Sequence, residues 1–330
     1  MKHTINRRHI LGATAGILGG ATLPSWAQAP RYPSRPITLV VPFAAGGSVD
    51  VSGRAIADRL GKALGQTIIV DNRGGAGGAI GSTYVAKAAP DGHTLIVTSQ
   101  STHVVNPAVT PNLSYNAETD FAPITLIDRL ANVVLVNADL PVKTFDEFVA
   151  FVRANPGKWN YASSGNGSVA HLSMEILKAK LGLAITHVPY KGAGVALGDL
   201  LSGQVQMTWN NLTSNLNMIT NGKLRALAVA APQRVAQLPS VPTFDELKLP
   251  DLNLTSWTGL AAPARTPDAI VARLYEAMRT VLGDPATKLA WEARGAMLPE
   301  ALSPAQYKQE ISRRIQFYRN IVKTQKIVLE

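Results

Sequence analysis

Four short glycine-bearing stretches carry the chemistry most legible in this chain: GGS at 46–48, GGAGG at 74–78, GNGS at 165–168 and GAG at 192–194. Each follows an apolar run and precedes a helical pattern. The first turn of a helix leaves backbone N–H groups unpaired and carries partial positive charge, so it attracts an anion without an Arg or Lys. Glycine lets the backbone approach closely and adopts the dihedrals such a concavity needs. One such loop alone reads as a tight turn. Four at equivalent positions point to a shared anionic ligand.

Competing chemistries fit less well. GAGGAIG at 75–81 places Ile80 where a dinucleotide fingerprint needs glycine, and no acid closes the following strand, which ends Thr98-Ser99-Gln100. A Gly-Lys-Ser/Thr phosphate loop and a Gly-x-Ser-x-Gly elbow are both missing from the sequence. His93, His103, His171 and His187 are not spaced three to five apart, which removes a helix-face metal pair. Ser168, His171 and Asp199 could form a hydrolase triad only if folding brought Asp199 into reach. Asp50 is the one acid in a candidate loop, and at a helix start it favours the first turn more naturally than it acts as a base.

The elements that must position these loops alternate. Strand patterns at 37–41, 67–70 and 95–98 enclose helical patterns at 49–64 and 79–88. The rhythm resumes with strands at 133–136, around Tyr161, at 184–187 and at 205–209, and helices at 145–153, 169–181 and 195–201. The chain from Thr266 on is mostly helical, with Pro267 and Pro285 at helix starts. This is an α/β pattern, and in open α/β sheets ligands bind beyond the carboxyl ends of strands. All four glycine loops fall there.

At 330 residues, 46% of them hydrophobic, the chain is long enough for two domains with large cores. The start, MKHTINRRHILGATAGILGGATLPSWAQA, has a basic head, a short Gly-diluted apolar stretch and small residues before a cut near Ala27 or Ala29. It reads as a twin-arginine-like export signal and predicts a periplasmic location. Removing 1–29 takes away Lys2, Arg7 and Arg8, lowering the formal charge from +10 to +7. The remaining positive charges are scattered, which argues against nucleic acid but favours encounter with small anions. With 0 cysteines, the exported chain relies on its core.

With the loops assembled, YPSRPITLVVPFAAGGSVDVSGRAIADRL, VDNRGGAGGAIGSTYVAKAAPDGHTL, NYASSGNGSVAHLSMEILK, HVPYKGAGVALGDLLSGQV and LAAPARTPDAIVARL resemble the periplasmic solute receptors of tripartite tricarboxylate transporters, the Bug or TctC-like group. The resemblance covers essentially the whole chain after the leader. It implies a two-lobed, type II periplasmic-binding-protein or Venus flytrap fold, each lobe a mostly parallel sheet flanked by helices. Lobe 1 would take 30–128 plus 257–330 and lobe 2 would take 129–256, with hinges near 128–132 and 252–257.

It further implies a monomeric receptor that is not an enzyme, needs no metal or organic cofactor, and passes a small carboxylate to a large and a small membrane subunit; an exported ligand sensor would use the same cleft. Carried over by position, the ligand residues on one side are Phe43, Gly47, Ser48, Asp50, Gly75, Ala76, Gly77 and Ser101. Those on the other are Ser164, Asn166, Gly167, Ser168, Tyr190, Lys191, Ala193, Trp209 and Asn210. The family usually shows an acidic, Phe-containing stretch after Gly-Gln-Val. Here it is Gln206-Met207-Thr208-Trp209-Asn210-Asn211. A neutral amide at 210 disfavours an amino-acid ammonium, and Trp209 and Trp257 offer flat apolar surface instead.

Overall fold

The computed structural model describes residues 32–324, so the expected export signal lies outside the described residues. The chain first lays down β1 (Ile37–Val41), α1 (Ser48–Leu64), β2 (Ile68–Asn72), α2 (Ala79–Ala86), β3 (Thr94–Ser99), α3 (Asn106–Val109) and β4 (Phe121–Leu130). It continues through β5 (Asn132–Asn137), α4 (Phe145–Ala154), β6 (Trp159–Ser163), α5 (Val169–Leu181), β7 (Ile185–Pro189), α6 (Ala193–Leu201), β8 (Met207–Asn211), α7 (Leu212–Thr220) and β9 (Leu224–Ala230). It closes with β10 (Ser256–Pro263), α8 (Asp268–Gly283), α9 (Pro285–Glu292), β11 (Ala296–Met297) and α10 (Pro304–Thr324).

Among the described residues the strands form two sheets, ordered β11-β4-β10-β3-β1-β2 and β7-β6-β8-β5-β9. The result is the expected two-lobed α/β fold. Strand direction is more mixed than the expected mostly parallel sheets. In the first sheet β1 runs parallel to β2 and β3, while β10 is antiparallel to β3 and β4, and β11 is antiparallel to β4. In the second, β6 runs parallel to β7 and β8, while β5 is antiparallel to β8 and β9. The reason is the way the chain crosses. It leaves the first sheet on β4 and returns on β10, side by side, so outgoing and incoming strands run in opposite directions.

Helical crossovers cover both faces of the central strands, which therefore read as continuous apolar runs. Ile37, Leu39, Val40 and Val41 of β1 have no exposed surface, and every residue of β5 is buried. On α10, Tyr307, Ile311, Ile315 and Tyr318 recur at helical spacing, form its buried stripe and join the core that underlies β3 and β4.

Only Ala131 separates β4 from β5. Beside it, Asn132 Nδ2 donates to the Leu254 carbonyl at 2.5 Å and to Ser256 Oγ at 3.0 Å. The two crossing segments are thus tied to each other at the point where the chain passes between sheets.

Candidate functional site

Between the two sheets lies a cavity of which about 50 Å³ is open to a water-sized sphere. Four helix starts reach its wall. Gly47, Ser48 and Val49 begin α1, Val169 and Ala170 begin α5, Ala193 begins α6, and Asn210 and Asn211 lead into α7. Ser99, Gln100 and Ser101, at the end of β3, join Asn132, Ser164, Ser256 and Thr258 in the polar lining. Leu130, Trp209, Trp257 and Phe43 supply the apolar part. The lining contains no Asp, Glu, Lys, Arg or His. Any charge a ligand brings must be met by backbone dipoles, hydroxyls and amides.

Local sequence explains each approach. Ser168 caps α5, its Oγ accepting the His171 N–H at 3.2 Å, which points the first turn into the gap. Asp50 is buried, and its carboxylate accepts from Gly46 N at 3.0 Å, Arg54 Nε at 3.0 Å and Asn72 Nδ2 at 2.9 Å. Burial opposes its charge, but these donors outweigh it and hold the carboxyl below the usual range. Asp50 therefore shapes the 46–50 loop from behind. Asp128, fully buried, accepts from Ser52 Oγ at 2.5 Å and Thr258 Oγ1 at 2.6 Å, pinning α1 to β10. Burial pushes its carboxyl upward.

Of the residues expected at the site, Phe43, Gly47, Ser48, Ser101, Ser164, Ala193, Trp209 and Asn210 line the cavity. The others are placed differently. Ala76, Gly77, Asn166 and Gly167 form a seam where the two halves touch, while Gly75 faces Ile80 of its own half: a methyl added at Gly77, whose φ is +59°, would stand 2.2 Å from the Asn166 carbonyl oxygen. Lys191 is on this rim, its carbonyl accepting the Ala44 N–H at 3.4 Å. Tyr190 OH donates to Asp199 at 2.6 Å, while Ser168 and Asp50 serve their own loops. The possible triad is not assembled: Asp199 belongs to Tyr190, and His171 Nδ1 accepts the Gly167 N–H.

Several lining residues escaped the sequence reading. Asn211 is the most informative, because Ser48 Oγ donates to its Oδ1 across the gap and its Nδ2 donates to Asn132 Oδ1 at 2.6 Å. Asn132 in turn holds Ser256 and Leu254. A hydrogen-bond chain thus runs from the α1 start, through the α7 start, to the crossing segments. An Asn pair before an apolar helical run is a helix-start signal that could have marked α7. Ser99, Gln100, Leu130, Asn132, Ser256 and Thr258 carry no local motif and are brought in by topology.

Two α/β lobes around a cleft lined by no charged side chain and fed by helix starts define a ligand-binding receptor of the periplasmic type. The sequence profile of the tripartite tricarboxylate transporter family receptor matches residues 53–327, and the chain belongs to that family. Protein BugT of Bordetella pertussis is 35% identical over 97% of this chain and 98% of its own. MatC from Rhodopseudomonas palustris, solved with bound malate, is 36% identical with a TM-score of 0.85, over 88% of this chain and 100% of its own. A second R. palustris protein, solved with adipate, is 35% identical with a TM-score of 0.86, over 90% of this chain and 99% of its own.

Proposed function

We propose that this receptor captures a small carboxylate between its lobes and delivers it to the large and small membrane subunits of a tripartite transporter, as a periplasmic monomer. One observation carries the reading: several helix starts from both lobes converge on a cavity lined by no charged side chain. Such a lining favours one anionic head group met by N–H donors. It offers nothing to an ammonium, whose burial without a carboxylate partner is costly. Asn210 stands where an acid would have supplied that partner, and Trp209 and Trp257 favour an apolar or flat remainder.

The segments around Ala131 and 254–256 are the hinges of this reading, with the second sheet's elements moving against the first. With the lobes in contact, the cavity's 50 Å³ holds only a few waters, at about 10–15 Å³ of such space for each. A multi-carbon acid therefore enters by parting the lobes, and binding then shifts the population back toward closure. Closure is the shape by which a membrane partner distinguishes the loaded receptor. Calorimetric titration with dicarboxylates and aromatic acids beside aspartate and glutamate tests the ligand class. The uncharged lining predicts that the plain acids bind more tightly; preference for the amino acids would refute it.

A further inference from the structure

Behind the 163–168 loop, three rings are stacked. His171 and His187 lie 3.9 Å apart between centroids at 15°, and His187 lies 4.8 Å from Tyr161 at 20°. Both imidazoles are bonded to that loop. Gly167 N donates to His171 Nδ1 at 3.3 Å. His187 Nε2 lies 2.6 Å from Ser163 Oγ, which accepts the Gly165 N–H at 3.1 Å. The lining residue Ser164 sits between these two anchors.

We propose that His171 and His187 are positioning residues whose neutral imidazoles hold the 163–168 loop in its ligand-gripping shape, so that protonating the pair releases the loop and weakens binding. This rests on the reading of the cleft as a carboxylate site. The chemistry is that of an acceptor lost. Nδ1 of His171 can receive the Gly167 N–H only while it carries no proton; a protonated ring presents a donor to a donor. Stacking at van der Waals distance also sets the two rings against sharing positive charge.

The surrounding groups keep the pair neutral. Burial, joined for His171 by Lys178 and for His187 by His171, lowers both rings to about 4; Glu175 opposes this at His187. On α5, Glu175 is shared between Tyr161 OH at 2.6 Å and Lys178 Nζ at 2.7 Å. The π-helical turn Ser101–Val105 packs on α5 and brings Ser101 to Val169 N; its His103 is engaged with Thr102 Oγ1. Asp251, from the Pro250–Leu252 turn ahead of β10 that packs on α5, pairs with Lys180.

The test uses glycine-selective ¹⁵N labelling and calorimetry with adipate as probe, from pH 7.5 to 4. His171→Asn keeps an acceptor near the Nδ1 position but cannot be protonated; His171→Leu removes the acceptor. In ligand-free wild type the Gly165 and Gly167 amide signals should shift together with the imidazole titration, and in His171→Asn the Gly167 shift should vanish. The ratio of wild-type to His171→Asn affinity, which cancels the titration of adipate itself, should fall about twofold between pH 7 and 4, where half of the rings carry the extra proton. His171→Leu should bind adipate more weakly at every pH. Amide signals indifferent to the imidazole titration, or a constant affinity ratio, would overturn the proposal. Adipate that binds at pH 7 without moving these amides would refute the cleft reading instead, while the ligand-free titration still decides the role of the histidines.

Discussion

A methyl group on Gly194 would stand 2.1 Å from the Ala45 carbonyl oxygen, which lies across the gap on the other half of the protein. Backbone against backbone cannot yield as a flexible side chain can, so Gly194→Ala should hold the lobes apart while leaving each fold intact. We expect ligand affinity to fall at least about tenfold, roughly 1.4 kcal/mol, with the ligand-free melting temperature little changed. Gly198→Ala, on the same helix with open space around its Cα, is the control and should bind normally. Calorimetry on the two variants separates closure from stability. At this scale the sequence was informative where side-chain type reveals backbone need: Gly47, Ser48, Ser164 and Ala193 all line the cavity. It was less so for Gly77 and Asn166, because a glycine that permits a ligand and one that permits a neighbouring backbone look alike in a sequence.

Helix starts are the working elements of the cleft, and α5 shows how local chemistry sets one. Its cap, Ser168, has no exposed surface and holds the His171 N–H. Ser168→Ala should cost about 1 kcal/mol of stability, and should also weaken ligand binding because Val169 and Ala170 line the cavity. Chemical denaturation measures the first effect and titration the second; full affinity in a destabilised protein would detach the cap from the site.

Elements with strong periodicity were legible: the patterns at 37–41, 49–64 and 169–181 match β1, α1 and α5 within a residue. Strands β4 and β10 were not read. FAPITLIDRL contains Pro123, Asp128 and Arg129, and SWTGLAAP is rich in small residues, so neither shows a strand's usual signature. Their burial comes from tertiary pairing with each other, which no local window contains. The mixed strand direction escaped for the same reason.

For the whole molecule, two sheets are joined by adjacent crossing segments, the arrangement that the proposed clamp requires. The Ser48–Asn211–Asn132–Ser256 chain links the cleft to the point where the chain crosses between the sheets. Ligand at a hundredfold its dissociation constant should add about 2.7 kcal/mol to stability, enough for a melting-temperature screen to find the best acid. The central claim is narrower: converging backbone N–H groups recognise negative charge, with no cationic side chain involved. Its most direct test is to titrate that best acid and its own neutral amide into the same protein by calorimetry at neutral pH. We predict one-to-one binding of the acid and at least about tenfold weaker binding of the amide, a difference of 1.4 kcal/mol or more. Equal affinity for acid and amide would contradict the account.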